Sequence, residues 1–357
     1  MPSYIRIPIV RDQQGGEAFY VGAINASLLT RIAVFTDPDL PPEERAQRAV
    51  DCTHAKNIAK YITDNPTTYT FASIEITILG NCQFTPVGEE FGYLEFIEGT
   101  ELLINDGQHR TKAYEIAIAQ NSKIGKDGVK VAFNLDRNLD RSRQRFSDLN
   151  GHGKAVSKSL NLLYDQRDTE AEITRRVIAG VPLFRALTER EQNSLSKASR
   201  KLFTLNGIHE ATSELLCGQE DQSIEQQAEI AIRFWNAVAA SIPDWSAVYE
   251  KTAISAEVRQ TSLHAQAVML VALGSLGRFL IQRHPKAWQS KLETLKRVDW
   301  SRSAPVWRGR VIVDGKLSKN KRAEAAALRH IKTSMGLPLS TEEAAAEAAL
   351  EDLLATA

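Results

Sequence analysis

The stretch INDGQHRTKAYEIA, residues 104–117, joins a predicted strand to a predicted helix through the dipeptide Asp106-Gly107. Residues 101–105 (ELLIN) end the strand, and apolar residues recur at helical spacing in the segment 111–120. The first N–H groups of a helix have no intrahelical partner, and the helix dipole makes that end electropositive. A strand, a glycine turn and a helix start in this order therefore predict a binding site for an anion such as phosphate.

Each residue of the DGQHR segment (106–110) has an expected part in this phosphate- or nucleotide-binding site. The turn lies at Asp106-Gly107, where a glycine lets the backbone approach a ligand closely, and Gln108 follows it as a member of the predicted site. Arg110 can hold two phosphate oxygens, and His109 can donate a further hydrogen bond. Asp106 can cap the helix, hold Arg110 or bind a metal ion, and it is the catalytic candidate if the protein is an enzyme. The plainer interpretation is a common Asp-Gly turn followed by a solvated helix start.

Patterns around this segment predict a mixed α/β fold for the first half of the chain. Strands are expected at 4–10, 19–24, 66–79 and 129–135, helices at 43–64 and 141–150, and a hairpin that pairs 92–98 with 101–105 through Gly99-Thr100. Helical patterns dominate beyond residue 168, at 170–180, 188–203, 224–241, 256–283, 287–297, 319–335 and 340–357. We therefore expect an α+β protein, with a mixed domain over 1–168 and an all-helical domain over 169–357.

Composition is that of a globular protein, with 43% hydrophobic and 25% charged residues. The 44 basic and 44 acidic residues cancel, so any contact with nucleic acid must come from local basic patches. Three widely separated cysteines predict reduced thiols rather than a disulfide framework or a zinc site. The N-terminal residues lack a signal-peptide pattern, and the longest apolar run, 267–281, is too short to span a bilayer. We expect a cytoplasmic protein in which that run is a buried helix.

A second basic segment, RNLDRSRQRFSDLNGHGKAVSKSLNLLYDQRD (137–168), is a candidate for contacts with DNA phosphates. Its expected DNA-binding residues are Arg141, Arg143, Arg145, Asn150, Lys154 and Lys158. The alternative is a solvated helix face whose arginines pair with Asp136, Asp140 and Asp148.

The connector WSRSAPVWRGR (300–310) combines tryptophan with arginine. Its aromatic and cationic side chains can stack on bases or hold a phosphate, which adds Arg308 and Arg310 to the candidates for DNA binding. The alternative is that this connector pins the C-terminal helices to the mixed domain.

The segment INDGQHRTKAYEIA resembles the DGQHR motif of a family related to the ParB/sulfiredoxin fold. Further blocks resemble the DndB family of the DNA phosphorothioation systems: 47–78, 146–150, 158–168 and 299–310. The resemblance implies a ParB-like first domain whose strand–turn–helix holds nucleotide or nucleic-acid phosphates. Sulfiredoxin carries a catalytic cysteine where this chain has Gln108, so the thiol chemistry of sulfiredoxin is excluded here.

The resemblance implies a DNA-binding regulator of phosphorothioate modification that represses its own modification operon. The expected partners are the operon promoter or modified DNA, other phosphorothioation proteins, and a second copy of the chain, since a dimer suits a pseudo-palindromic site. One alternative is an ATPase or nuclease that uses the DGQHR pocket, with ATP or Mg²⁺ as ligands. The other is a non-catalytic assembly factor of the modification complex, which the zero net charge fits.

Overall fold

The computed structural model describes residues 4–33, 50–136, 139–151 and 157–355. The chain divides into two compact units, Met1–Lys154 and Ala155–Ala357. This division falls earlier than the predicted domain boundary at 168, because residues 158–168 belong to the second unit. The start of the predicted helix over 43–64 lies outside the described residues up to position 49.

The first unit is built from a large mixed sheet and a few helices. In chain order its elements are β1 (Tyr4–Gln14), β2 (Glu17–Asn25), α1 (Ala26–Ile32), α2 (Cys52–Asp64), β3 (Ile74–Leu79), β4 (Cys82–Pro86), β5 (Phe91–Ile97), β6 (Glu101–Asp106), α3 (Gln108–Gln120), β7 (Gly128–Asp136) and α4 (Leu139–Gly151). The strands predicted at 4–10, 19–24 and 129–135 and the helix at 141–150 are confirmed. Of the extended segment 66–79, only the part from Ile74 onward is a strand.

The seven strands pair in the order β4-β5-β1-β2-β7-β3-β6. Strand β1 is antiparallel to both of its neighbours, whereas β3 and β7 are parallel. The isoleucines of β1 alternate with exposed residues, and Ile5, Ile7 and Ile9 enter a core shared with α1, α2 and α3. A period of two residues in a strand separates a buried from an exposed face, which explains this alternation.

The predicted hairpin of 92–98 with 101–105 is wrong. Strand β5 pairs with β1 and β4, whereas β6 pairs with β3 at the far edge of the sheet and with no other described strand. Three residues separate β5 from β6, so their ends lie at most about 15 Å apart, while five strand spacings in a flat sheet span about 24 Å. The sheet must therefore curl until β5 and β6 approach each other without hydrogen bonds between them.

The second unit is mainly helical. Its elements are α5 (Lys158–Tyr164), α6 (Thr169–Gly180), α7 (Pro182–Leu187), β8 (Thr188–Glu189), β9 (Phe203–Thr204), α8 (Leu205–Leu216), α9 (Ile224–Ser241), α10 (Pro243–Tyr249), α11 (Ser255–Thr261), α12 (Ala267–Arg283), α13 (Trp288–Leu292), β10 (Ile312–Val313), β11 (Lys316–Leu317), α14 (Lys321–Ser334) and α15 (Thr341–Ala355). The pairs β8–β9 and β10–β11 are short ladders, so the expectation of an all-helical domain is corrected.

Helix α12 confirms the prediction of a buried apolar helix over 267–281. It packs so closely on α8 that a Cβ at Gly274 would lie 2.1 Å from the carbonyl oxygen of Ala211. Within the described ranges, no helix combines the length and the apolar character that a membrane crossing requires.

The predicted helix over 188–203 is wrong. After β8 the chain runs irregularly to β9, and Arg259 of α11 donates to the backbone oxygens of Ser196, Lys197 and Ser199. The guanidinium of Arg259 thus supplies hydrogen bonds to backbone oxygens that lack a helical N–H ladder.

Candidate functional site

The DGQHR corner is a strand–turn–helix, as predicted. Strand β6 ends at Asp106, Gly107 adopts a left-handed conformation with φ 106°, and α3 begins at Gln108. A Cβ at Gly107 would lie 3.0 Å from Cγ1 of Ile74, so both the backbone angle and the close approach favour glycine. Among the described residues, no side chain caps the first turn of α3, so none of them offers a carboxylate cap to its N-terminal dipole.

Arg110 is held firmly inside this corner. Its Nη1 donates to the backbone oxygens of Ala72 and Ser73 at 2.7 and 3.0 Å, and its Nη2 donates to Oδ2 of Asp106 at 2.6 Å. The Arg110 side chain is only 15% exposed, against 44% for Asp106. Of the three roles considered for Asp106, the structure shows the one in which it holds Arg110.

The Gln108 side chain stabilises the turn from the interior of the protein. It is buried, and its Nε2 donates to the backbone oxygen of Ile104 at 2.8 Å. His109 instead joins the starts of two helices, because its Nε2 accepts the backbone N–H of Asp51, the N-cap of α2, at 3.0 Å. With Nε2 accepting, the neutral ring carries its proton on Nδ1.

Asp51 makes the start of α2 a second well-formed helix end. Its carboxylate accepts the backbone N–H groups of Thr53 and His54. Hydrogen bonds from His54 and Thr53, with the nearby His109 ring, lower the pKa of Asp51. The His54 ring packs edge-on against His109, with 5.0 Å between centroids. Two helix starts and two histidines therefore lie together beside the DGQHR corner. No motif in the sequence links α2 to this corner, which only the tertiary contact reveals.

A second carboxylate faces Asp106 across the sheet. Glu75 of β3 pairs in register with Asp106 of β6. Burial raises the pKa of Glu75, and Asp106 adds to the rise, while hydrogen bonds from Ser73 and Asn134 and the charge of Arg145 oppose it. Among the described residues, no group of three or more His, Cys, Asp or Glu side chains is arranged to hold a metal ion.

Helix α4 is hydrogen-bonded to the corner through Asn105. The buried Asn105 amide donates to the backbone oxygen of Ser142 at 3.0 Å and to its Oγ at 2.7 Å, and its Oδ1 accepts from Thr77 at 2.6 Å. The DGQHR strand β6 and the arginine-bearing helix α4 are thus neighbours in the first unit.

The arginines of α4 are paired with carboxylates on the surface. Arg141 and Arg145 share Glu17 of β2, at 2.7 and 3.4 Å, and Arg143 contacts Asp140 at 3.1 Å. The pairing with Asp140 was anticipated, but Glu17 was missed because nothing in the local sequence links it to α4. The hydrogen bond from Arg141 lowers the pKa of Glu17. The Nε atom of Arg143 is buried without a hydrogen-bond partner among the described residues, so that guanidinium is not saturated.

The other predicted DNA contacts are dispersed. Lys154 and the side chain of Asn150 lie outside the described residues, and Lys158 and Arg308 are exposed in the second unit. Arg310 is different, because its side chain is 7% exposed and it is bound by Glu347 and the backbone oxygen of Val306. The structure therefore places Arg310 in the packing against helix α15.

Fold and site together define a two-unit α+β protein whose first unit presents an arginine-bearing helix at a glycine corner. A family model described as DNA-sulfur modification-associated matches residues 7–338. The chain therefore belongs to the DndB family and takes part in DNA sulfur modification. No curated protein and no solved structure shows a significant match, and the predicted likeness to the ParB/sulfiredoxin fold stays a prediction.

Proposed function

We propose that this protein is a DNA-binding regulator of DNA sulfur modification that represses the promoter of its modification operon. The observation that carries the proposal is the docking of α4 on the DGQHR corner through Asn105 and Ser142. It brings α4, which carries Arg141, Arg143 and Arg145, against β6, the strand that leads into the start of α3. Arginines and a helix N-terminus both attract phosphate.

The ion pairs of α4 do not prevent this role. The side chains of Glu17 and Asp140 are 48% and 85% exposed. Exposed pairs of this kind contribute about 0–1 kcal/mol each and weaken with salt. A DNA phosphate can therefore replace either carboxylate at little cost, and the guanidinium groups are already ordered to receive it.

A large cavity of the second unit suits DNA less well. It has a volume of about 880 Å³, and its lining contains more carboxylates than ammonium groups. The glutamates that line it are Glu170, Glu210, Glu214, Glu220 and Glu324. Such a surface repels phosphate, which supports placing the main DNA contacts on the first unit.

The test is a titration of DNA from upstream of the modification operon at several salt concentrations. We expect steep salt dependence, and we expect the Arg143→Ala/Arg145→Ala double variant to lose about tenfold in affinity and to reduce the salt slope by about two. Arg31→Ala is the matched control, because Arg31 also pairs with a surface glutamate, Glu98, beyond the opposite end of β6. Unchanged binding by the double variant would refute the α4 interface, and equal binding to unrelated DNA would refute the repressor role.

A hydrolytic function is the second candidate, and the register pairing of Glu75 with Asp106 favours it. Two adjacent carboxylates, one with a raised pKa, are a common feature of catalytic sites. ATP or supercoiled plasmid incubated with the protein and Mg²⁺ tests this role, and Asp106→Asn should abolish any turnover. An assembly role would appear as co-purification with other modification proteins without DNA.

A further inference from the structure

A cavity of about 380 Å³ opens beside Arg110, and neither the DGQHR corner nor the α4 arginines account for it. Three aromatic side chains line it: Tyr69, Phe71 and Tyr114. The ring centroids of Tyr69 and Tyr114 lie 5.7 and 6.1 Å from that of Phe71. Edge-on and tilted contacts of this kind hold the rings in fixed orientations, so the aromatic wall is formed before any ligand arrives.

An ordered carboxylate lies in the same cavity. The hydroxyl of Tyr69 donates to Oδ2 of Asp127 at 2.7 Å. Burial, together with Asp127, raises the pKa of Tyr69, so its phenol remains a donor at neutral pH and holds Asp127 in place. Among the described residues, no group donates to Oδ1 of Asp127, which leaves one acceptor for a ligand N–H.

Two cationic side chains complete the lining. Lys130 is exposed in β7, and Arg110 borders the cavity with its Nη1 already bound to two backbone carbonyls. An aromatic wall with a carboxylate alone would also suit a methylated ammonium ligand. The presence of Lys130 and Arg110 disfavours a cation and favours a planar ligand with an anionic group attached.

We propose that this cavity receives a single unpaired nucleobase of bound DNA, and this inference rests on the proposed DNA-binding function. The base would lie against the rings of Tyr69 and Phe71, an N–H of its edge would bind Asp127, and its phosphate would bind Lys130. The volume is near the lower end of the range of small-ligand sites and is sufficient for one nucleotide. Stacking on aromatic side chains is tolerant of sequence, so the cavity recognises an unpaired base rather than a particular one.

The experiment compares a fully paired promoter duplex with the same duplex carrying one extra, unpaired 2-aminopurine nucleotide. We expect the unpaired base to increase affinity about tenfold and its fluorescence to fall on binding, because stacking quenches it. Phe71→Leu and Asp127→Asn should each remove most of the preference while leaving binding to the paired duplex unchanged. Lys130→Gln should weaken the preference, and Lys126→Gln, an exposed lysine outside the lining, is the matched control.

The outcomes separate this inference from the function on which it rests. Equal affinity for the two duplexes, or a preference that survives Phe71→Leu and Asp127→Asn, would overturn the inference and leave DNA binding intact. Absence of binding to both duplexes would overturn the proposed function as well. Binding of a trimethyl-lysine peptide that is lost in Phe71→Leu would overturn the nucleobase inference, since the cavity would then be a site for a cation.

Discussion

Asn105 and Ser142 connect the DGQHR strand to the arginine helix, with 2.7 Å between Nδ2 of Asn105 and Oγ of Ser142. Asn105 is fully buried, and its amide oxygen accepts from Thr77 while its nitrogen also donates to the backbone oxygen of Ser142. One side chain therefore satisfies polar groups of two neighbouring elements, β3 and α4. The position of α4, and with it the proposed DNA surface, depends on this amide.

Replacing Asn105 with alanine should destabilise the first unit by about 2–4 kcal/mol, because the hydroxyl of Thr77 and the backbone oxygen of Ser142 lose their buried partner. Ser142→Ala removes only one acceptor and should cost about 1 kcal/mol. All five tryptophans lie in the second unit, so urea unfolding can follow that unit by tryptophan fluorescence and both units by circular dichroism. A shift confined to the fluorescence transition would contradict the assignment of Asn105 to the first unit's packing.

Glu17→Gln should strengthen DNA binding by roughly threefold at low salt, because it removes the carboxylate that competes with phosphate for Arg141 and Arg145. The measurement is the dissociation constant for promoter DNA across a salt series. Glu95→Gln is the control, since Glu95 on the same sheet pairs with Arg6 of β1 instead of with an arginine of α4. Weaker binding by Glu17→Gln would mean that Glu17 orders the arginines for DNA rather than competing with it.

Gly107→Ala should destabilise the first unit by about 1–3 kcal/mol, because φ 106° is costly for alanine and the new Cβ would meet Ile74. Thermal or urea unfolding measures the change. Gly88→Ala is the matched control, since a Cβ at Gly88 meets no atom within 4 Å and its φ is not positive. Equal effects of the two substitutions would show that the corner does not need glycine.

Glu75→Gln should stabilise the protein at neutral pH, and the gain should vanish in acid. Burial raises the pKa of Glu75 in the folded state above its ordinary value of 4.5. Below its unfolded pKa such a carboxyl is protonated in both states and does not change the stability of the protein. As the pH rises through its folded pKa, the protein loses stability because the buried carboxyl becomes charged. The difference in melting temperature between Glu75→Gln and wild type should therefore be near zero below pH 4.5 and grow toward pH 7.

In the same pH series, Glu17→Gln should change the melting temperature in the opposite direction to Glu75→Gln. The pKa of Glu17 is lowered by Arg141, so its contribution is present at neutral pH and is lost as the pH falls. Its removal should therefore lower the melting temperature slightly at pH 7 and not in acid. If the melting-temperature differences of the two variants changed with pH in the same direction, the two carboxylates would not have pKa values shifted in opposite directions.

Local sequence patterns were sufficient to predict the elements whose conformation depends on residues nearby in the chain. The strand–glycine–helix order of the DGQHR corner and the buried helix α12 follow from the period of apolar residues and from the conformational freedom of Gly107. The residues that resemble the DndB family are spread over most of the chain, and the family match over 7–338 confirms that resemblance.

Tertiary structure alone decided which strands and side chains pair. Arg145 and its partner Glu17 are 128 residues apart, and Arg310, outside the helices, is paired with Glu347 of helix α15. Strands β5 and β6 follow each other in the chain but pair with different strands, and the curl of the sheet brings their connected ends together. Periodicity reports which face of an element is apolar, whereas the identity of the facing element depends on closing long loops and on the packing of the whole core.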